Sequence, residues 1–453
     1  MLIDLNNRDI VNNFNNALRN MNFVSPADYA EIKTNLDMLA DLTQRGGKSI
    51  KFGRVAKTRA AEWLWVYFFG HSFKHISANT RGYQKIIDYY KDYIHYENLL
   101  FALDENHRDH VIHSIWVMLI GFYLLIKCHP IRHISFDAYF FNSTNETQIE
   151  GIKRTKEIIK TEYQPALWIL ISLTHDLGYP IQKTLMANVE MSQMIAHFGF
   201  LQQTSFTYQF TIVHQTAIEE LLNNISTALI WDQNDTYRLG IYPGRRLDYS
   251  KSFEGLDHGI MSAYLLQKYL DYICEIFNYP RNIPDLVYRK IEYAAKQVAV
   301  ISWLDSIASH TNNNRFWSNI NNFCSLLLIS DELDEFSRYA RKKNSDQWTN
   351  VKCETKFNYR NKSINIVFRF HRPVHFDSLP FFKGKVKKLM NRFNLAKDEI
   401  RKLSITCIDD RSGNKEKYYY ERHFDSDSLG FVKRLHGGTT SDIHGFLKDK
   451  ITI

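Results

Sequence analysis

Cysteine and proline are both scarce in this chain. Its five cysteines (Cys128, Cys274, Cys324, Cys353 and Cys407) are scattered over 453 residues. Their odd number and wide spacing argue against a disulfide scaffold, and the lack of any CxxC pair excludes a zinc knuckle or a dithiol motif. Only nine prolines occur, and few interrupt the helix-like stretches. Also missing is a long apolar run. The most apolar, Val111–Ile126, contains His113 and Ser114 and falls short of the roughly 20 residues a membrane span needs, so it reads as a buried core helix. The N-terminal stretch has no basic start followed by an apolar core, so no secretory leader is expected. Charge of one sign does not dominate: 57 Lys and Arg stand against 49 Asp and Glu, a formal +8. That excess suits anionic substrates such as phosphates but falls short of a surface built to coat nucleic acid. The expectation is a cytoplasmic protein with no membrane partner.

What is abundant is apolar and aromatic: 44% hydrophobic and 14% aromatic residues, enough to bury a sizeable core. Residues 1–60 read as a polar, helical N-terminal segment, interrupted at Arg45-Gly46-Gly47-Lys48. From Ala61 to about Arg341 the text is helix-like, with apolar residues recurring at three and four positions, as in Ala166–Leu177, Ile260–Phe277, Ile291–Ala308 and Phe323–Tyr339. The style changes after Lys342-Lys343-Asn344-Ser345. Val351–Phe357 and Ser363–Phe370 predict one hairpin, Asp377-Ser378-Leu379-Pro380 a helix start, and Ser404–Ile408 with Lys417–Glu421 a second hairpin. The fold class predicted is mainly α, a helical bundle followed by a smaller α+β domain over 346–453.

Chemistry concentrates at the ends of apolar stretches. Leu167–Leu173 delivers His175 and Asp176 in succession, after which Gly178 and Pro180 read as a helix stop. Upstream, His107, His110 and His113 lie three apart and so share one side of a helix whose continuation, Val117–Ile126, belongs in the core. Imidazoles leading into a buried helix need partners, because unpaired polar nitrogens are costly to bury. Downstream come His258 between Asp257 and Gly259, His310 after Ser309, and Asp331 where Leu326–Ser330 meets an acidic run. Read residue by residue, these positions keep plainer alternatives. His110 could stand in for His113, and Asp334 or Asp305 for Asp331. His258 could be a helix-cap neighbour, and His310 a histidine favoured by a helix C-terminus.

The ordered set His…His-Asp…Asp on helices resembles the HD superfamily of metal-dependent phosphohydrolases. His113-Ser114-x-x-Val117 is similar to its first-ligand segment, Leu173–Leu177 to its His-Asp segment and Leu326–Glu335 to its final aspartate segment. The resemblance covers roughly residues 100–340 and makes 61–345 a helical HD domain. It implies His113, His175, Asp176 and Asp331 as ligands of a first metal. His258 and His310 match the extra histidines of two-metal members, with Asp176 bridging. Gly178-Tyr179-Pro180 is not the signature of the cyclic-di-GMP-hydrolysing branch, where Gly-Tyr-Pro lies in a separate segment after paired histidines. Imidazole and carboxylate ligands suit divalent Mn, Fe, Co, Ni or Zn without singling one out.

The function implied is hydrolysis of a phosphate ester or anhydride, of a nucleotide above all, with one or two ions activating water and Asp176 at their centre. Lys183, just after the His-Asp turn, is a candidate catalytic and phosphate-contacting cation. Arg108 and His110 are further candidate substrate groups, against the plainer readings of solvated cations and a packed histidine. The alternatives are a metal-dependent nuclease or phosphodiesterase on oligo- or cyclic nucleotides, and a non-enzymatic nucleotide sensor. No dense basic stripe with interleaved aromatics supports nucleic acid as the partner. A homo-oligomer is compatible with the sequence.

Overall fold

The computed structural model describes residues 2–5, 7–18, 24–45, 48–103, 109–132, 134–141, 145–184, 197, 212–278, 287–311, 321–334, 340–341, 348–349, 352–360, 363–371, 378–392, 402–409, 416–423, 431–436 and 439–442. The long apolar-periodic stretches are helices: α1 (Asn7–Leu18), α2 (Pro26–Leu39), α3 (Arg54–Ile76), α4 (Tyr83–Leu103), α5 (His110–Lys127), α6 (Glu146–Ile158), α7 (Gln164–Thr174), α8 (Ile212–Ile225), α9 (Pro243–Glu254), α10 (His258–Tyr269), α11 (Asp271–Asn278), α12 (Val287–Ser309), α13 (Phe323–Leu333) and α14 (Ser378–Arg392). The main strands are β1 (Leu2–Leu5), β2 (Thr227–Trp231), β3 (Tyr237–Ile241), β4 (Lys352–Arg360), β5 (Ser363–His371), β6 (Lys402–Asp409), β7 (Glu416–His423), β8 (Phe431–His436) and β9 (Thr439–Asp442). The chain is mainly α, with a smaller α+β part at its C-terminal end, as its composition predicts. It forms two compact units, residues 1–61, 100–133 and 313–453 in one and 62–99 and 134–312 in the other.

In the first unit, α5 is buried on every side from His110 to Leu125, the signature of a helix inside a protein core. That bears out the reading of this stretch as core from Val111 to Leu125, with Ile126 at its end 40% exposed, and 89% of the helix's apolar window is covered by protein. Helix α1 lays Ile10, Val11 and Phe14 on this core, with Phe14 edge-on to Phe122 at 5.1 Å between ring centroids. Helix α13 packs along α5 as well.

The sheet of this unit runs β1-β4-β5-β6-β7-β8-β9. Both hairpins legible in the sequence are present, β4 with β5 and β6 with β7, each antiparallel. Strands β5 and β6 are parallel, because α14 intervenes as the crossover that a parallel connection requires. Phe382, Val386 and Leu389 are its buried face, with Phe382 stacked on Tyr418 of β7 at 5.7 Å. One element differs from expectation. Leu2–Leu5, inside the segment read as helical, pairs antiparallel with β4 from Leu2↔Asn358 to Leu5↔Thr355. A four-residue strand carries too little alternation to show locally, and its partner lies far away in the chain.

The second unit is organised around α12, whose Ala294, Ala295, Val298, Ile301, Leu304 and Ile307 are fully or almost fully buried. Helices α7 and α10 pack against it. Two indoles tie the scaffold to the end of α7. Trp65 of α3 donates to the Leu173 carbonyl at 2.8 Å, and Trp303 of α12 donates to Thr174 Oγ1 at 3.0 Å. The region read as helix-like also holds an antiparallel hairpin, β2 with β3. Its turn is an Asp232 carboxylate accepting from the amides of Asn234 and Thr236, turn chemistry that helical periodicity does not register.

Gly82 opens α4 with φ at +83°, and a Cβ there would collide with the Tyr269 carbonyl oxygen. Gly82→Ala is therefore expected to cost about 3 kcal/mol or more, from left-handed strain plus displacement of the α10 end. A lowered urea midpoint, read by far-ultraviolet circular dichroism, checks it; an unchanged midpoint contradicts the close approach.

Candidate metal centre

Helix α7 is fully enclosed in protein from Ala166 to Thr174, and its end delivers His175 and Asp176 into a turn. The Tyr179 amide donates to the Asp176 carbonyl at 3.0 Å, and the chain is helical again over 179–184. Pro180 thus sits in the first turn of the next helix, where its missing N–H costs nothing. It does not stop the preceding one, as the sequence suggested. The turn is fixed against α10 through Ser262, whose Oγ accepts from the Gly178 amide at 2.7 Å. The same hydroxyl lies 2.8 Å from both the His175 and the His258 carbonyl oxygens, and its single proton can serve either. Gly178 allows this approach, since a Cβ would run into the His258 carbonyl.

Three imidazoles surround Asp176, each from a helix end. His175 follows the last residue of α7, His258 is the first of α10, and His310 follows the last of α12. In each, Nδ1 is engaged by a carbonyl oxygen at 2.7 Å: that of Ser172 for His175, the Gln182 side chain for His258 and that of Ile307 for His310. A carbonyl oxygen only accepts, so each Nδ1 is placed to donate and each Nε2 is the ring atom on the Asp176 side. The Nε2 atoms lie 3.2, 3.4 and 3.7 Å from Asp176 carboxylate oxygens for His175, His258 and His310. His175, Asp176 and His310 offer ligand atoms within 4.8 Å of one another, close enough to hold a metal ion.

Tyr93 of α4 is buried near this group. Burial, then the negative charges of Glu97 and Asp176, push its phenol well above the usual tyrosine range. On the same helix Tyr89 donates to the Leu177 carbonyl at 2.5 Å and Tyr96 lies 2.9 Å from Thr184 Oγ1, so α4 braces the turn and the helix that follows it.

The other unit has its own His/Asp cluster. Asp109 caps α5 by accepting from the Ile112 amide at 2.9 Å, and Arg54 pairs with the same carboxylate at 2.9 Å. One turn on, His113 Nδ1 lies 2.6 Å from Asp334 and its Nε2 2.9 Å from Asp331. The two acids differ in setting: Asp334 is fully buried, while Asp331 is 15% exposed. Asp334 suits the orienting carboxylate that fixes a ligand histidine's tautomer, leaving Nε2 and Asp331 on the ligand side. Asp305, the other stand-in for Asp331, is engaged elsewhere. Arg245 pairs with it and the hydroxyls of Tyr139 and Tyr249 donate to it.

Of the remaining predicted residues, His110 is buried in the first turn of α5, its ring 6.3 Å from that of His113. The Lys183 ammonium lies 5.2 Å from the centre of the Tyr179 ring, which stands edge-on to His258 at 5.4 Å. Arg108 and His107 lie outside the described residues. Sequence reasoning missed Gln182, Ser262 and Tyr93, and gave Asp334 only as a substitute for Asp331. Asp334 had a signal, an acid three residues after a candidate ligand; a hydroxyl or amide that orients a histidine from another helix has none. No protein family matches this chain, and neither does any curated protein or solved structure.

Ser262→Ala would strand the buried Gly178 amide without its acceptor and free the His175 carbonyl, an expected cost of about 1–3 kcal/mol. Thermal unfolding measures it. A melting temperature equal to that of the unmodified chain would show that Ser262 does not hold the turn.

Proposed function

We propose that this chain is a metal-dependent phosphohydrolase of the HD type, hydrolysing a phosphate ester or anhydride of a nucleotide. The observation that carries the metal is the ring of His175, His258 and His310, each with Nδ1–H held by a carbonyl and Nε2 turned to Asp176. The donor set fits divalent Mn, Fe, Co, Ni or Zn, which take neutral imidazole and carboxylate together. The HD resemblance supplies the reaction class and adds His113 and Asp331 to the ligand set.

A bound ion of this kind supplies Lewis acidity, lowering the pKa of water and offsetting charge on phosphoryl oxygens. The chain's own groups, backbone and side chain, do the rest. The Ser172, Gln182 and Ile307 oxygens keep the three rings in one tautomer and orientation, so that no ligand has to reorganise. Asp176 offers two carboxylate oxygens, one toward His175 and one toward His258 and His310, an arrangement suited to one ion or to a bridge between two. The Lys183 ammonium, over the Tyr179 ring beside His258, supports a role in contacting phosphate, with Asp176 and Lys183 as the catalytic pair. His110 and Arg108 complete the proposed substrate contacts.

The test is phosphate release from a panel of nucleoside mono- and triphosphates and cyclic nucleotides in the presence of Mn or Co. The unmodified chain should turn over at least one class, and Asp176→Ala should fall to background. His258→Ala should keep one ion yet lose most turnover if two are used. Full activity in both His258→Ala and His310→Ala would leave a one-ion enzyme. Full activity in Asp176→Ala would end the enzyme assignment.

A further inference from the structure

Glu332 follows Asp331 in the last turn of α13 and is almost fully buried, at 2% exposure. An acid in that setting is stable only when paired. Its partners come from α14: Lys385 Nζ lies 2.7 Å from Oε2 and Lys388 Nζ 3.0 Å from Oε1. Lys385 does more than neutralise. Its ammonium also donates to the Glu332 backbone carbonyl at 2.8 Å. The last carbonyls of a helix have no partner within it, and a cation there is favoured by the helix dipole. Lys385 is itself buried, its ammonium 5.5 Å from the ring centres of Phe368 and Phe381. Phe368 belongs to β5, so the group that caps α13 is anchored in the core of the sheet.

We propose that Lys385 is a positioning residue: by clamping Glu332 through both its carboxylate and its carbonyl, it fixes the end of α13 from which Asp331 and Asp334 reach His113, and so sets the metal affinity of that cluster. The proposal rests on the reading of Asp331 as a metal ligand. Successive helical residues point about 100° apart, so locking Glu332 toward α14 sets the direction in which Asp331 leaves the helix. The capped turn also ends at Asp334, whose amide donates to the Asp331 carbonyl at 3.3 Å. As stability devices, buried ion pairs are inferior to apolar packing. Fixing geometry beside a ligand explains the use of one here. The start of α5 has the matching device, Arg54 on the capping Asp109, so both helices that form the cluster are pinned at the end nearest it.

The experiment is a titration of the full-length chain with Co or Mn alone, followed by circular dichroism and thermal melts. Lys385→Met should remain helical and bind metal about tenfold more weakly or worse, the usual scale for losing a group that orients a ligand. Lys385→Arg, which keeps the charge and donors, should recover part of the loss. In an Asp331→Asn background, Lys385→Met should add no further loss, because both act through one ligand. The double variant Lys385→Met with Glu332→Gln leaves no unpaired charge buried, since Lys388 is about half exposed, and keeps the test open if the single variant fails to fold. It should regain stability without regaining affinity. Recovery of both would reduce Lys385 to a counter-ion for Glu332 and overturn the proposal, as would unmodified affinity in Lys385→Met. If the unmodified chain bound no metal, the metal reading itself would fall and this proposal with it, a result distinct from either.

Discussion

Four side chains of metal-ligand type, Asp176 and three histidines, converge at the ends of helices. The Asp176 carboxylate faces the Nε2 atoms of three histidines whose protons are committed to carbonyl oxygens on their far sides. Imidazole and carboxylate atoms brought this close repel one another when none of them carries a compensating positive charge. A positive charge among them, a metal ion or an added proton, reverses the sign. A divalent ion would suit His175, Asp176 and His310, whose ligand atoms lie within 4.8 Å of one another, and the surrounding structure fixes their directions in advance.

That fixing is distributed over the ends of helices. A residue in mid-helix points sideways into a neighbour, while residues at a terminus can turn into the space where helices converge. His175, His258 and His310 all occupy such positions, and the groups that orient them are local: two backbone carbonyls three residues earlier and one glutamine from the 179–184 helix. The apolar interior sets where the ends meet. Trp65 and Trp303 hold the last turn of α7 from two sides, and Ser262 joins the turn after it to α10. The His113 cluster follows the same rule in its own unit, between the capped start of α5 and the capped end of α13.

The mainly helical fold and the candidate ligands were legible in the sequence because both rest on local signals. Apolar periodicity marks the helices, and polar ligand types interrupting that periodicity mark the site. The hairpins β4–β5 and β6–β7 were legible for the same reason, strand-forming runs on either side of turn residues. What escaped notice depends on pairing across the chain. Leu2–Leu5 is a strand only because β4 lies beside it, and β2–β3 was masked by the helical text around it. Pro180 was misread because a proline that ends one helix and a proline that begins the next look alike without knowing where the turn lies. Asp331 and Asp334 were interchangeable as letters; the two nitrogens of His113 separate them. Gln182 and Ser262 act through geometry alone.

The most direct measurement is elemental analysis of the purified chain, before and after incubation with Mn, Co, Ni or Zn and removal of the excess. An acceptor cluster of this kind, in a one- or two-ion site, should retain about one to two equivalents of a first-row divalent metal. The retained metal should fall sharply when Asp176 is replaced by alanine. A chain that carries none as purified, and retains none after incubation with any of the four, would contradict the account at its base.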